Sequence, residues 1–168
     1  MTRAVLVAGI GNIFLSDDGF GVEVAGRLAG HSFPPGVRVA DFGIRGVHLA
    51  YELLDGYDGL VLIDAVPMGE APGTLAVIEP EPGTSFGSGD DQAAVVDAHS
   101  MSPEVVLGTL AHLGGTVERI YVIGCQPASL DEGIGLTPSV AAAVDEAIEL
   151  CGDLIADIMQ EVGKGTSR

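Results

Sequence analysis

Three carboxylates and one imidazole stand where chemistry is usually done. Asp17-Asp18 closes a glycine-marked loop that begins Gly9-Ile10-Gly11-Asn12 and ends Gly19-Phe20-Gly21. Asp64 ends the apolar run Leu60-Val61-Leu62-Ile63, and His99 lies just ahead of Ser102-Pro103. Carboxylates and an imidazole together are the oxygen and nitrogen donors of a facial metal site, a set that suits zinc, nickel, iron or manganese without choosing among them. Each residue also has a plainer reading. Acids at a helix start complement its dipole, so one of Asp17 and Asp18 can cap while the other faces a cleft. A carboxylate ending a buried strand must reach solvent or a partner, which favours a functional Asp64 over one merely bonded to nearby amides. Of the four histidines, His31 sits by a turn, His48 within a helix and His112 at a helix end; His99 alone is at a loop-to-helix junction.

The elements that must hold these groups are legible from periodicity. Ala4–Ile10, Val37–Asp41, Leu60–Asp64 and Arg119–Gly124 are short apolar runs of the kind that form buried strands, and Thr74–Ile78, between Pro72-Gly73 and Pro80, reads as an edge strand. Helices are expected from near Gly19 (inner residues Val22, Ala25, Leu28 and Ala29) and over a second segment carrying Val47, Ala50, Leu53 and Leu54. Two more are expected from Ser102-Pro103 to about Leu113 and from Thr137-Pro138 to about Val162. Strands alternating with helices imply an α/β fold: a single three-layer domain over 1–162 with a mostly parallel, twisted sheet of about five strands, helices on both faces, and a polar tail at 163–168. Residues 79–98, rich in glycine, proline, serine and acid, read as a long surface loop. Ligands of such folds gather outside the carboxyl ends of the strands, where the Gly9–Asp18 loop, the Asp41-Phe42-Gly43 corner and Asp64 all lie.

Composition restricts the partners. Seven Lys and Arg against 24 Asp and Glu leave a net charge of −17, which repels phosphate backbones and anionic lipid. Tryptophan is absent and aromatics are 5%, so stacking platforms for bases are not expected. No run reaches the ~18 apolar residues of a membrane helix, and the N-terminal run leads into Asp17-Asp18 without a cleavage site. The expectation is a cytoplasmic protein with no nucleic-acid or membrane partner, a monomer meeting its partner transiently. Cys125 and Cys151 read as buried thiols in a reducing compartment. A Gly-x-Gly after a strand suggests dinucleotide binding, but Phe14 stands where the third glycine belongs and two acids stand where a pyrophosphate needs bare amides. A peptidyl-tRNA hydrolase start fails similarly, because Ile13-Phe14 replaces its Pro-Gly.

Taken together, Gly9-Ile10-Gly11-Asn12 with Asp17-Asp18-Gly19 and Gly21, Asp41-Phe42-Gly43 with Gly46, Ile63-Asp64-Ala65, His99, and Gly133-Ile134-Gly135-Leu136-Thr137-Pro138-Ser139-Val140 resemble the hydrogenase maturation endopeptidases. The resemblance spans Ala4 to about Leu150. It implies an endopeptidase that removes a C-terminal extension from the large-subunit precursor of a nickel-iron hydrogenase. It also implies that two acids and a histidine, here Asp18, Asp64 and His99, bind nickel supplied by that precursor. Asp18 occupies a position held by Glu or Asp in the family. Asp41, Gly43 and Arg45 are expected along the substrate groove, Arg45 in a surface salt bridge in the slightly favoured reading and pairing with substrate acid in the other. The competing reading is a metal-dependent binding module or chaperone that holds the large subunit without cutting it.

Overall fold

The computed structural model describes residues 3–80 and 102–166, with side chains to residue 160. The apolar runs fold as strands β1 (Val5–Ile10), β2 (Val37–Gly43), β3 (Gly59–Ala65), β4 (Leu75–Ile78) and β5 (Arg119–Cys125). They form one sheet in the order β2-β1-β3-β5-β4. β1, β2, β3 and β5 run parallel, and β4 lies antiparallel on the β5 edge. Every residue of β1 and β3 is buried, which is why these two central strands read as unbroken apolar runs.

Among the described residues four helices cover the sheet: α1 (Phe20–Leu28), α2 (Gly46–Leu53), α3 (Pro103–His112) and α4 (Pro138–Thr166). Strand alternation divides the core in two. Val5, Val7, Val61, Ile63 and Ile123 pack with α1 and α4, whereas Leu6, Ala8, Ile10, Leu60, Leu62 and Val122 pack with α2 and α3. The three-layer α/β expectation therefore holds. Two helix faces are rotated from the expected ones. The inner residues of α1 are Phe20, Gly21, Val24, Ala25 and Leu28, with Ala29 exposed. Those of α2 are Gly46, Leu49, Ala50 and Leu53, with Val47 and Leu54 exposed. In both, several apolar stripes share one short segment, and the tilt of the helix on the sheet selects among them. Ser102 caps α3 as expected, its hydroxyl accepting from the Val105 amide at 3.3 Å. α4 runs to Thr166, past the expected end near Val162. Cys125 and Cys151 are free and buried. Among the described residues no helix is long and apolar enough to cross a membrane. The expected loop over 79–98 lies outside the described residues from position 81 onward.

From β1 the chain crosses to β2 on one side, then returns past β1 to β3 on the other. The crevice beyond the ends of β1 and β3 is thus the switch point of the sheet, where such folds bind ligands. Its floor depends on two glycines. A methyl group on Gly9 would overlap the Gly21 carbonyl, and one on Gly21 would overlap the carbonyl oxygens of Ile63 and Ile10. α1 therefore starts directly against β1 and β3. Alanine normally stabilises a helix position by ~1 kcal/mol over glycine. Gly21→Ala should reverse that sign and cost about 3 kcal/mol by overpacking, measured by urea unfolding.

Candidate active site

Asp18 and Asp64 meet at the switch point. A short 3₁₀ turn, Ser16–Gly19, precedes α1 and carries Asp17 and Asp18, while Asp64 lies one residue before the end of β3. Gly11 lets them approach. With φ +135°, it has no side chain to overlap the Asp18 carbonyl, and a Cβ there would lie 3.6 Å from Asp64 Oδ1. The Gly11 amide donates to the Gly43 carbonyl at 3.0 Å, which ties the β2 corner to the same floor.

The adjacent acids have separate tasks. Asp17 is fully buried and both its oxygens are engaged. Oδ1 accepts the Thr137 amide at 2.7 Å, and Oδ2 accepts the Ala128 amide at 2.8 Å, the Ser129 amide at 3.0 Å and the Thr137 hydroxyl at 2.8 Å. Burial alone would raise its pKa, but these bonds outweigh burial and hold it below the ordinary carboxylate range. Thr137, expected as a plain helix cap, therefore donates its hydroxyl proton to Asp17. Backbone bonds complete the junction. The Ser16 amide donates to the Gly133 carbonyl, and the Gly133 amide to the Phe14 carbonyl. Ser16 itself holds φ +52°, a strained value for a residue with a side chain.

Asp18 is half-buried, and its Oδ2 accepts the Asn12 amide at 2.7 Å. Asp64 is 2% exposed, and its Oδ1 accepts the Ala65 amide at 2.8 Å. Asp18 Oδ1 and Asp64 Oδ2 accept no hydrogen bond from the described residues. Each carboxylate is thus oriented by one amide and has one oxygen without a bond from the described residues. Burial raises the Asp18 pKa against the Asn12 bond. Asp64 is raised well above its ordinary value, first by burial, then by the Asp18 charge, with a smaller push from Glu104. Two anions drawn together in a dry crevice favour a cation or a proton.

His99 lies outside the described residues. Among the described residues no three histidine, cysteine or acid side chains converge as a metal-binding group. Gly43 borders the crevice through Gly11, and Asp41 is exposed beside it. Arg45 donates from Nε to the Phe42 carbonyl and from Nη2 to the Asp41 carbonyl, at 3.3 and 3.0 Å, with its guanidinium 5.8 Å from the Phe42 ring centre. It braces the corner of the groove. Sequence reasoning missed Glu104, in the first turn of α3, because nothing separates it there from an acid complementing the helix dipole. The thiols offer no nucleophile: burial, with the Asp17 charge, pushes Cys125 up to about 11, and burial pushes Cys151 up to about 12.

The sequence model of the HycI hydrogenase maturation protease family matches residues 22–153. The chain is 36% identical over 146 residues to the hydrogenase expression/formation protein HupD of Rhodobacter capsulatus, covering 86% of this chain and 67% of that one. With HoxM of Cupriavidus necator the identity is 34% over 154 residues, covering 90% and 73%. Among solved structures, the hydrogenase maturating endopeptidase HybD from E. coli superposes with a TM-score of 0.74 at 28% identity, covering 92% of this chain and 93% of that one. The hydrogenase 2 maturation peptidase from a Thaumarchaeota archaeon gives 0.68 at 30% identity, covering 92% and 99%.

The two electrostatic environments predict opposite responses to substitution. Asp17→Ala should cost about 3 kcal/mol of unfolding free energy, because it leaves buried donors without their acceptor. The stabilisation from Asp17 is complete above the ordinary carboxylate range and is lost as pH falls through its lowered value. For Asp64, stability should fall as pH rises from the ordinary range towards its raised value, since the folded chain there holds a proton that the unfolded chain has released. Asp64→Asn should therefore raise the melting temperature at pH 7 and much less at pH 4, measured by calorimetry.

Proposed function

The chain belongs to the hydrogenase maturation protease family and is a peptidase, and on that premise we propose that it removes the C-terminal extension of a nickel-loaded large-subunit precursor of a nickel-iron hydrogenase. The observation that carries the reading is the pair Asp18 and Asp64, each oriented by one backbone amide and each keeping one oxygen without a bond from the described residues. In this reading the nickel arrives with the substrate and is gripped by Asp18, Asp64 and His99. The donor chemistry admits that ion: an imidazole nitrogen is a borderline donor that takes nickel, and two hard carboxylate oxygens balance its charge. His99 stands three positions before Ser102, the cap of α3, and Glu104 in the first turn of that helix is near enough to Asp64 to act on its charge.

Two consequences follow from the electrostatics. Nickel supplies Lewis acidity when the precursor is seated. The alternative route, without metal participation in the cut, has an aspartate whose proton affinity is raised by burial acting as the base for an attacking water. Recognition through the ion makes cleavage conditional on correct loading: without nickel the two anions repel and the crevice holds the precursor weakly. The buried thiols fit action in the cytoplasm, where such groups stay reduced.

The test follows the mass of the precursor on incubation with this protein. Nickel-loaded precursor should lose its extension and nickel-free precursor should keep it. Asp18→Asn, Asp64→Asn and His99→Ala should each slow cleavage by more than about 100-fold, since replacing even an indirect metal contact costs 10–100-fold. Acidification should weaken the reaction, because both acids must be ionised and the imidazole neutral to hold a cation. Equal cleavage of loaded and empty precursor would remove nickel from the recognition step.

A further inference from the structure

The crevice is collared by apolar side chains that the fold displays to solvent. Ile13 and Phe14, from the loop after β1, are 45% and 61% exposed; Ile134, from the loop after β5, is 80% exposed. Ile44 and Val47, at the corner after β2, are 59% and 58% exposed. All three loops leave the same end of the parallel strands, the end where Asp18 and Asp64 meet. Scattered exposed hydrophobes are ordinary, but these five lie on three segments at one end of the sheet, and backbone bonds join Phe14 to Gly133 and Gly11 to Gly43.

Hydrogen bonds tie down the segments that carry them. Phe14 donates its amide to Asn12 Oδ1 at 2.9 Å, and its carbonyl accepts the Gly133 amide at 2.9 Å. Asp17 bonds the same two loops together through its carboxylate, and Ile134 stands between Gly133 at φ +158° and Gly135 at φ +105°. On the far side, the Gly43 carbonyl is bonded to Gly11 and Arg45 holds the corner carbonyls. An apolar group exposed on a hydrogen-bonded loop costs little further ordering when a partner covers it, which distinguishes a built seat from a loose end.

We propose that this collar seats the stretch of precursor polypeptide that adjoins the scissile bond, and that this stretch is apolar with flanking Lys or Arg. The inference rests on the proposed reading of the crevice as the place of cleavage. A peptidase must lay its substrate chain across the reacting groups, so a surface continuous with those groups is covered by that chain during the reaction. The charge of the occupant follows from the rim. Asp41, Glu104, Asp131 and Glu132 are exposed at this end, and the cation beside them, Arg45, is engaged with carbonyl oxygens. Within a chain of net charge −17, such a rim repels an acidic segment and attracts a basic one.

Titration calorimetry with nickel-loaded precursor tests the seat on the full chain. Phe14→Ser combined with Ile134→Ser should weaken Kd about tenfold or more, the loss typical of anchoring side chains, with the effect appearing in KM rather than kcat. Ile44→Ser, across the crevice, should weaken it in the same direction. Unfolding curves matching the parent establish that these exposed substitutions leave the fold intact. An unchanged Kd in both variants overturns the proposal. So does an unchanged Kd together with loss of self-association in sedimentation, which assigns the face to a second copy of the chain. If the parent binds in a collar-dependent way yet never cuts, the collar stands and the reading as the cleaving enzyme falls.

Discussion

The saturated carboxylate of Asp17 is the constraint on which the rest of the site depends. It is an ionised group without exposure to water, stable there because four donors converge on it from the segment between Ala128 and Thr137. In turn it fastens the turn after β1 to the segment that leads into α4. That turn also carries Asp18, and Phe14 and Ile134 are exposed on the two segments it joins. Neighbouring residues of the same type thus do opposite work. One acid has both oxygens engaged and a lowered pKa; the next has one oxygen engaged and a raised pKa.

The second constraint is the close approach of backbone at the floor. Gly9 and Gly21 bring α1 directly onto β1 and β3, and Gly11 removes the side chain that would separate the Asp18 peptide from the Asp64 carboxylate. What results is a charged pair that the fold strains to hold. Its repulsion is relieved when one of the two takes up a proton, so the fold gives up local stability to bring these acids together. Such a trade is expected where binding or catalysis is the purpose of a site.

Much of this was legible before any coordinates. Continuous apolar runs marked β1 and β3 because strands buried on both faces have no polar alternation to hide. A carboxylate at the end of such a run has few structural uses, so Asp64 stood out. The division of Asp17 from Asp18 was open, because it depends on donors 111 to 120 positions further along the chain. The inner faces of α1 and α2 were read one step off for a similar reason: a short helix offers overlapping stripes, and only packing chooses. Glu104 carried no signal of its own. For Arg45 a surface salt bridge was slightly favoured over pairing with substrate acid; its reach to two carbonyls of its own corner carried no signal, being a matter of local turn geometry.

The central claim is that Asp18 and Asp64 are held in electrostatic conflict. Titration of the Asp64 side-chain carboxyl by carbon NMR, in the parent and in Asp18→Asn, tests it directly. The account predicts a midpoint well above the ordinary carboxylate range in the parent, moving down when the Asp18 charge is removed. An ordinary midpoint that ignores Asp18→Asn would contradict it.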